Sequence, residues 1–483
     1  MLAGTAALTG AAALGRRSRA AGRILLRPPA HWAGINHGTG FFPDEPFLSA
    51  CIQAGNALGL KAVRQRMNTV GGRHVGAAFT WARRDAAFAG YRDAGCQIHC
   101  ILSFREHVDR PSAAEWQRNW RYFVRAAMDR YRDHVHSWII DNEPELGFGG
   151  YHPTPQECVE FTRIAWEELH DLGIDDRCRI ESPPVKAINS DYLRLMLEAG
   201  LADWCHVLGT HCYNDQIDDE RIRYPWAQLR ALGIDDLPVA ISESGVIEGW
   251  APEGYPGGGA TWRADHFRQF HVQAKAFGFE YVLLFDLDRW TQREQEWRIA
   301  DFSPDGAECT PLQPIWDAVR ESWGGVRRFT NSSFTAPEDG SGNWVVYRPA
   351  RAATPVELER VSFPRDADRS LHGSGYCRMD LADHRQDLVV RQVADLLTPG
   401  HTYAVEAKVL LTGGAATLRA TGFDRLDGLA SRSAVTTRPG AWATLAVQVE
   451  PTNPWLVVEL RSKGTGARGD EVRWGEVTVM PVG

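Results

Sequence analysis

No stretch of the 483 residues carries a glycine-rich phosphate loop, a dinucleotide fingerprint or a Ser-His-Asp signature. Nucleotide-dependent chemistry and serine-nucleophile hydrolysis therefore have no sequence footing. The nine cysteines (51, 96, 100, 158, 178, 205, 212, 309 and 377) are odd in number and show no paired metal spacing. Cys96, His99 and Cys100 sit close together, but strand alternation sends them to opposite faces, so the cysteines read as small buried residues and neither metal nor cofactor is called for. Positive charge is also short: 53 Lys and Arg face 61 Asp and Glu. Residues 31–330 alone hold 31 basic and 43 acidic side chains, a balance near −12 that disfavours nucleic acid and strongly anionic polymers. The most apolar terminal stretch, Met1–Gly15, is too short to span a bilayer comfortably.

What the chain does have is alternation. Strand-like segments fall at 32–36, 60–64, 98–102, 137–140, 178–180, 206–209, 239–241 and 281–285. Between them, stretches such as 115–131 and 155–172 show helical apolar spacing, the latter opened by Thr154, Pro155 and Glu157 as cap, first-turn proline and capping-box acid. Eight strand-helix repeats in about 300 residues fit a (β/α)₈ TIM barrel over 31–328, whose sites gather at the carboxyl ends of the strands. After about Gly325 short strands joined by turns take over, which indicates an all-β sandwich of jelly-roll type over 329–483.

Two glutamates stand where apolar strands emerge into loops: Glu143 in Ile139-Ile140-Asp141-Asn142-Glu143-Pro144 and Glu243 in Ala240-Ile241-Ser242-Glu243-Ser244. One carboxylic acid to protonate a departing glycosidic oxygen and one carboxylate to attack the anomeric carbon or activate water is the minimal kit of glycoside hydrolysis. Either glutamate alone is as well explained as a structural ion-pair partner. Glu143 has to stay protonated until the leaving group departs, which calls for a poorly solvated pocket near like charge.

With these residues in place the chain resembles glycoside hydrolase clan A, most like family 39, with family 5 nearby. The resemblance implies retention, Glu143 as acid/base after Asn142 on strand four, and Glu243 as nucleophile on strand seven. It also implies a sugar-binding role for Asn142, Arg64 beside the nucleophile, and His211 and Tyr213 lining the same pocket. The plainer readings are Arg64 as an internal counter-ion, Asn142 as a turn residue, and His211 and Tyr213 as pocket wall. The stretch after strand eight departs from the family 5 pattern, leaving Phe285 or Trp290 to serve as sugar platform; at strand three Ser103-Phe104-Arg105 stands where that family has histidine, with His107 somewhat later. Trp250, Trp262, Trp290 and Trp297 fall in the expected loops, where aromatic rings suit sugar C–H faces or pack beneath the loop. The segment 254–259 reads as a mobile loop over the site.

The second domain resembles carbohydrate-binding modules in Asn331-Ser332-Ser333-Phe334, in Gln392–Tyr403 and in Val472–Val479, with glycan binding and structural docking weighed equally. Residues 1–30 resemble the apolar core of a secretory signal whose twin-arginine portion lies upstream, or else an Ala-rich tail. The expectation is a retaining β-glycoside hydrolase, secreted or periplasmic with a cytoplasmic location as the alternative, that cleaves a polysaccharide, such as a bacterial exopolysaccharide, internally. An exo-acting β-xylosidase or β-glucosidase is the alternative, and a non-catalytic glycan-binding barrel a more distant one. The partner is an oligo- or polysaccharide.

Overall fold

A computed structural model describes residues 32–36, 45–68, 79, 81–103, 113–147, 152–213, 219–234, 236–251, 253–255, 257–287, 298–323, 344–347, 360–362, 364, 376–385, 387–395, 397–422 and 430–482. The N-terminal segment, Phe104–Arg105, His107, Trp290, Trp297 and Asn331–Phe334 lie outside the described residues.

Eight parallel strands alternate with helices. The strands are β1 (Ala33–Asn36), β2 (Ala62–Asn68), β3 (Gln97–Ser103), β4 (Val135–Ile140), β5 (Arg179–Glu181), β6 (Leu208–Tyr213), β7 (Val239–Gly245) and β8 (Val282–Leu284). The helices are α1 (Phe47–Leu58), α2 (Ala82–Asp93), α3 (Ala113–Tyr131), α4 (Pro155–Asp171), α5 (Asp191–Glu198), α6 (Asp219–Ile222), α7 (Tyr224–Ala231), α8 (Gly258–Phe277) and α9 (Ile315–Trp323). The sheet runs β5-β4-β3-β2-β1-β8-β7-β6, and parallel bridges Glu181 to Val207 and Val185 to Thr210 close it into a barrel. All eight expected strands are present.

Strand residues facing the helices are mostly apolar and share one core with them, among them Val63, Cys100, Trp138, Ile180, Leu208 and Ile241. The capping box expected at Thr154 is formed: its hydroxyl accepts from the Glu157 N–H, and Glu157 accepts from the Thr154 N–H. All nine cysteines are free, seven of them buried.

The barrel interior departs from the usual branched aliphatic filling. Inside it lie Arg179 paired with Glu280 at 2.8 Å, and Glu181 accepting from the Tyr281 hydroxyl. The His99 ring is 4.4 Å from that of Tyr281 and 5.7 Å from that of His136. Burial, reinforced by Arg179, pulls His136 down to about 4; burial, with His136 and Arg179, holds His99 well below the usual imidazole range. Both rings are therefore neutral at pH 7.

A short hairpin, β9 (Ala300–Phe302) and β10 (Cys309–Pro311), precedes α9. Two five-stranded antiparallel sheets follow. The first orders β11 (Val345–Tyr347), β14 (Asp387–Asp395), β19 (Trp455–Lys463), β16 (Ala415–Gly422) and β17 (Ala430–Thr436); the second orders β12 (Val361–Ser362), β13 (Cys377–Asp380), β20 (Glu471–Pro481), β15 (Tyr403–Leu411) and β18 (Ala443–Val449). Alternating residues such as Val405, Ala407, Leu418, Val458 and Trp474 fill the space between them, so the sandwich expectation holds.

The outer face of the first sheet packs on α8. Val345, Val393 and Val457 meet Val272 and Ala276. Lys275 ion-pairs with Asp395 at 3.2 Å, its ammonium 4.6 Å from the Trp32 ring and 4.1 Å from that of Trp455. Trp455 Nε1 donates to the Lys275 carbonyl at 3.1 Å, and Arg391, paired with Glu459 at 2.6 Å, donates to Gln273. Burial on both sides is why α8 hides Arg263, His266, Gln269, His271, Gln273 and Lys275 beside its apolar residues.

Candidate active site

Glu243 lies within β7 rather than at its end, where the pairing register with β6 and with β8 shifts. That irregularity brings its side chain to the barrel mouth. Glu143 stands three residues past β4 with positive φ (45°), as does Asp141 (57°). Backbone bonds hold this unusual path: Asp141 N–H donates to Leu102 O at 2.8 Å, Glu143 N–H to Pro184 O at 2.9 Å, and Leu146 N–H to Glu143 O at 3.0 Å. A left-handed non-glycine residue so held is a mark of a functional turn. The 3₁₀ turn Pro144–Leu146 follows at once.

The two carboxylates share neighbours. Arg64, from β2, gives one guanidinium N–H to Glu243 Oε1 and another to Asn142 Oδ1 at 2.6 Å, which fixes the Asn142 amide with its oxygen toward Arg64. The Tyr213 hydroxyl donates to Glu243 Oε2. His211 Nδ1 lies 2.9 Å from Glu143 Oε1 and 3.4 Å from Glu243 Oε2. Glu143 and Glu243 are 8% and 6% exposed, so these contacts act with little solvent screening.

Burial works to raise Glu243, but the charges of His211 and Arg64 and hydrogen bonds from Tyr213 and Arg64 outweigh it, and the carboxyl is held below its ordinary value. Burial, with Glu243 and Glu143 nearby, lifts Tyr213 well above the usual phenol range, so its hydroxyl remains a donor. One oxygen of each glutamate and a His211 nitrogen lie within 4.8 Å of one another, close enough for a cation. Arg64 already neutralises Glu243, and a second cation would face its charge, so the set suits proton transfer and nucleophilic attack better than metal binding.

Six of the seven residues singled out from the sequence thus meet at one place; Trp290 lies outside the described residues. Phe285 joins the wall, its ring edge-on to Tyr213 at 6.2 Å. Trp262 packs under the loop with Val246 and Tyr255, whereas Trp250 is 52% exposed. In the 254–259 segment, Tyr255 is buried and Gly258–Gly259 already begin α8. Sequence reading missed Glu181, which is fully buried, and Glu145, whose Oε1 accepts from Lys186 N–H at 2.6 Å. The signal for Glu181 was a carboxylate inside the three-residue β5.

No known family's sequence pattern matches the chain, and no curated protein matches it. Among solved structures it is similar to a glucosidase from Croceicoccus marinus (13% identity, 91% of this chain and 97% of that one, TM-score 0.47). It is also similar to a family 39 glycoside hydrolase from the gut symbiont Bacteroides cellulosilyticus (10%, 89% and 80%, TM-score 0.48) and to a family 30 endoxylanase from Clostridium papyrosolvens (11%, 89% and 96%, TM-score 0.44). Residue geometry, rather than these distant likenesses, carries the reading that follows.

Proposed function

We propose that this chain is a retaining β-glycoside hydrolase. Glu243 attacks the anomeric carbon as nucleophile, and Glu143 protonates the leaving oxygen and then activates the water that releases the glycosyl group. One observation carries the reading: two buried carboxylates at a barrel mouth, one just past β4 and one within β7, approach within 4.8 Å, the second clamped by an arginine and a tyrosine. Retaining pairs stand about 5 to 5.5 Å apart, while inverting pairs leave several ångströms more for a water. The unequal partners fit the two roles. Glu243, with Arg64 and Tyr213, is poised as an anion; Glu143 has His211 Nδ1 2.9 Å from its Oε1.

Asn142, fixed by Arg64, is assigned the sugar hydroxyl next to the anomeric carbon, and His211 and Tyr213 orient the carboxylates. The substrate is a neutral or partly cationic polysaccharide cut internally, in keeping with the acidic balance of residues 31–330 and the exposed Trp250 beyond β7. The boundary between barrel and sandwich falls at about residue 328, between α9, which ends at Trp323, and β11, which begins at Val345.

Hydrolysis of aryl β-glycosides and soluble polysaccharides tests the assignment. Glu243→Gln and Glu143→Gln should each lose at least 10²-fold in kcat, azide should restore turnover to the alanine variants, and the first-formed product should keep the β configuration. Full activity in either glutamine variant would remove that residue from the mechanism, and inverted product would exclude double displacement.

A further inference from the structure

Arg263 stands in the second turn of α8 and is 4% exposed. Its Nε donates to the Val246 carbonyl at 2.7 Å, and Val246 is the residue that follows β7, three positions past Glu243. Around Glu243 the ladder is irregular, and it soon ends: pairing with β6 reaches Gly245 and pairing with β8 reaches Ser244. On the β8 side, Ser244 O accepts from the Phe285 N–H at 2.7 Å, and the Ser244 hydroxyl donates to Leu283 O at 3.1 Å. On the helix side, the bond from Arg263 takes over where the ladder stops. Val246 also packs against Tyr255 and Trp262, the latter one residue before Arg263. α8 is a firm base for that bond, because its far half is held by the sandwich through Arg391 donating to Gln273 and through Lys275 with Asp395 at 3.2 Å. No step proposed above uses Arg263.

We infer that Arg263 is a positioning residue acting through β7 on Glu243: it ties the strand end to α8 and so fixes where the nucleophile meets the anomeric carbon. The inference rests on the reading of Glu243 as nucleophile. A buried guanidinium is costly to desolvate, and an apolar side chain of similar length would fill the same space without that penalty. What the guanidinium adds is direction, because a charged, planar donor holds one carbonyl in one place. Attack on the anomeric carbon depends steeply on such placement: an error of about 1 Å in a reacting group can cost on the order of 10²-fold in rate.

The test uses the 2-deoxy-2-fluoro dinitrophenyl β-glycoside of whichever sugar the aryl glycosides show to be turned over. Its leaving group departs without a proton, and the fluorine slows release of the glycosyl group, so Glu243 is trapped as an ester. The rate constant of labelling reports attack by Glu243, and the dinitrophenolate released counts competent sites, so a partly folded preparation still answers. Arg263→Met and Arg263→Gln should each label about ten- to a hundredfold more slowly per site, with the Ki of the unreactive product sugar nearly unchanged. Arg263→Lys, which keeps a charged donor, should recover much of the rate. Tyr255→Phe, which removes the 3.1 Å bond to Asp265 in the same small core, should lower the denaturant midpoint and label at the wild-type rate. A wild-type rate per site in both Arg263→Met and Arg263→Gln, with the label on Glu243, would overturn this inference alone. Equal slowing in Tyr255→Phe would trace the effect to general loosening of the loop and overturn it too. A label on another residue of the unaltered chain, or no label at all, would overturn the nucleophile reading and this inference with it.

Discussion

At the scale of single residues, the site works by giving chemically identical side chains different surroundings. Tyr213 is the lever on Glu243, since its hydroxyl stabilises the carboxylate against the cost of burial. Tyr213→Phe should therefore make Glu243 harder to ionise and move the acid limb of kcat/KM upward by about one pH unit, as a lost hydrogen bond to a charged group implies. Because the folded Glu243 carboxyl lies below its unfolded value, its contribution to stability is present above that unfolded value and is lost as pH falls through the folded one. His136 works in the opposite protonation sense. Its folded imidazole is pulled to about 4 from 6.5, so below pH 6.5 the unfolded chain gains a proton that the folded one refuses, and stability drains until about pH 4. His136→Gln should remove about 3 kcal/mol of that acid-induced loss, visible as a flatter midpoint in urea titrations between pH 6.5 and pH 4. Glu143 and Glu243 were legible because each follows a strong apolar strand and carries a short signature. Glu145 was not, because a glutamate after proline in a loop reads as solvated, and its burial depends on a Lys186 N–H 41 residues away.

At the scale of elements, local rules and distant partners divide the outcome. The α4 start was readable to the residue because a capping box is a contact among four consecutive positions. Thr154→Ala should cost about 1 kcal/mol, measurable as a lower denaturant midpoint with unchanged slope. Barrel strands were placed within a few residues for a similar reason: runs such as Ile139-Ile140 and Val282-Leu283-Leu284 are buried on both faces and need no pattern beyond continuous apolarity. β16 and β17 went unread, being built from Ala, Thr, Ser and Arg with few large apolar residues to mark an inward face. The polar residues of α8 are pressed against the first sheet rather than turned to solvent. Nothing within the helix's own sequence foretells partners as far along the chain as Val345, Val393 and Val457.

At the scale of the whole molecule, that buried helix decides what kind of object the protein is. A tethered binding module would meet its barrel through a small, wet contact. Here α8 meets the first sheet through five apolar side chains, the buried Arg391–Glu459 pair, and Lys275 held between two tryptophan rings and Asp395. Trp32, which precedes β1, takes part on one side and Trp455 of β19 on the other, so the seam joins the first strand of the barrel to the middle of the sandwich. Opening it would take Asp395 and Trp455 from Lys275 and Gln273 from Arg391 and uncover apolar surface, costs that favour unfolding both parts together over separating them intact. Calorimetry of the intact chain should accordingly show one transition. Val457→Asp puts an unpaired carboxylate among Val272, Ala276, Val345 and Val393, and should split that peak and lower its first component by several degrees. Arg391→Met alone, which takes from the buried Glu459 its hydrogen-bonded partner and leaves Arg461 and Arg419 nearby, should cost about 3 kcal/mol or more, while Arg391→Met with Glu459→Leu should recover much of it. Two transitions in the unaltered chain, with neither moved by Val457→Asp, would mean that the sandwich rides on the barrel as a separate module.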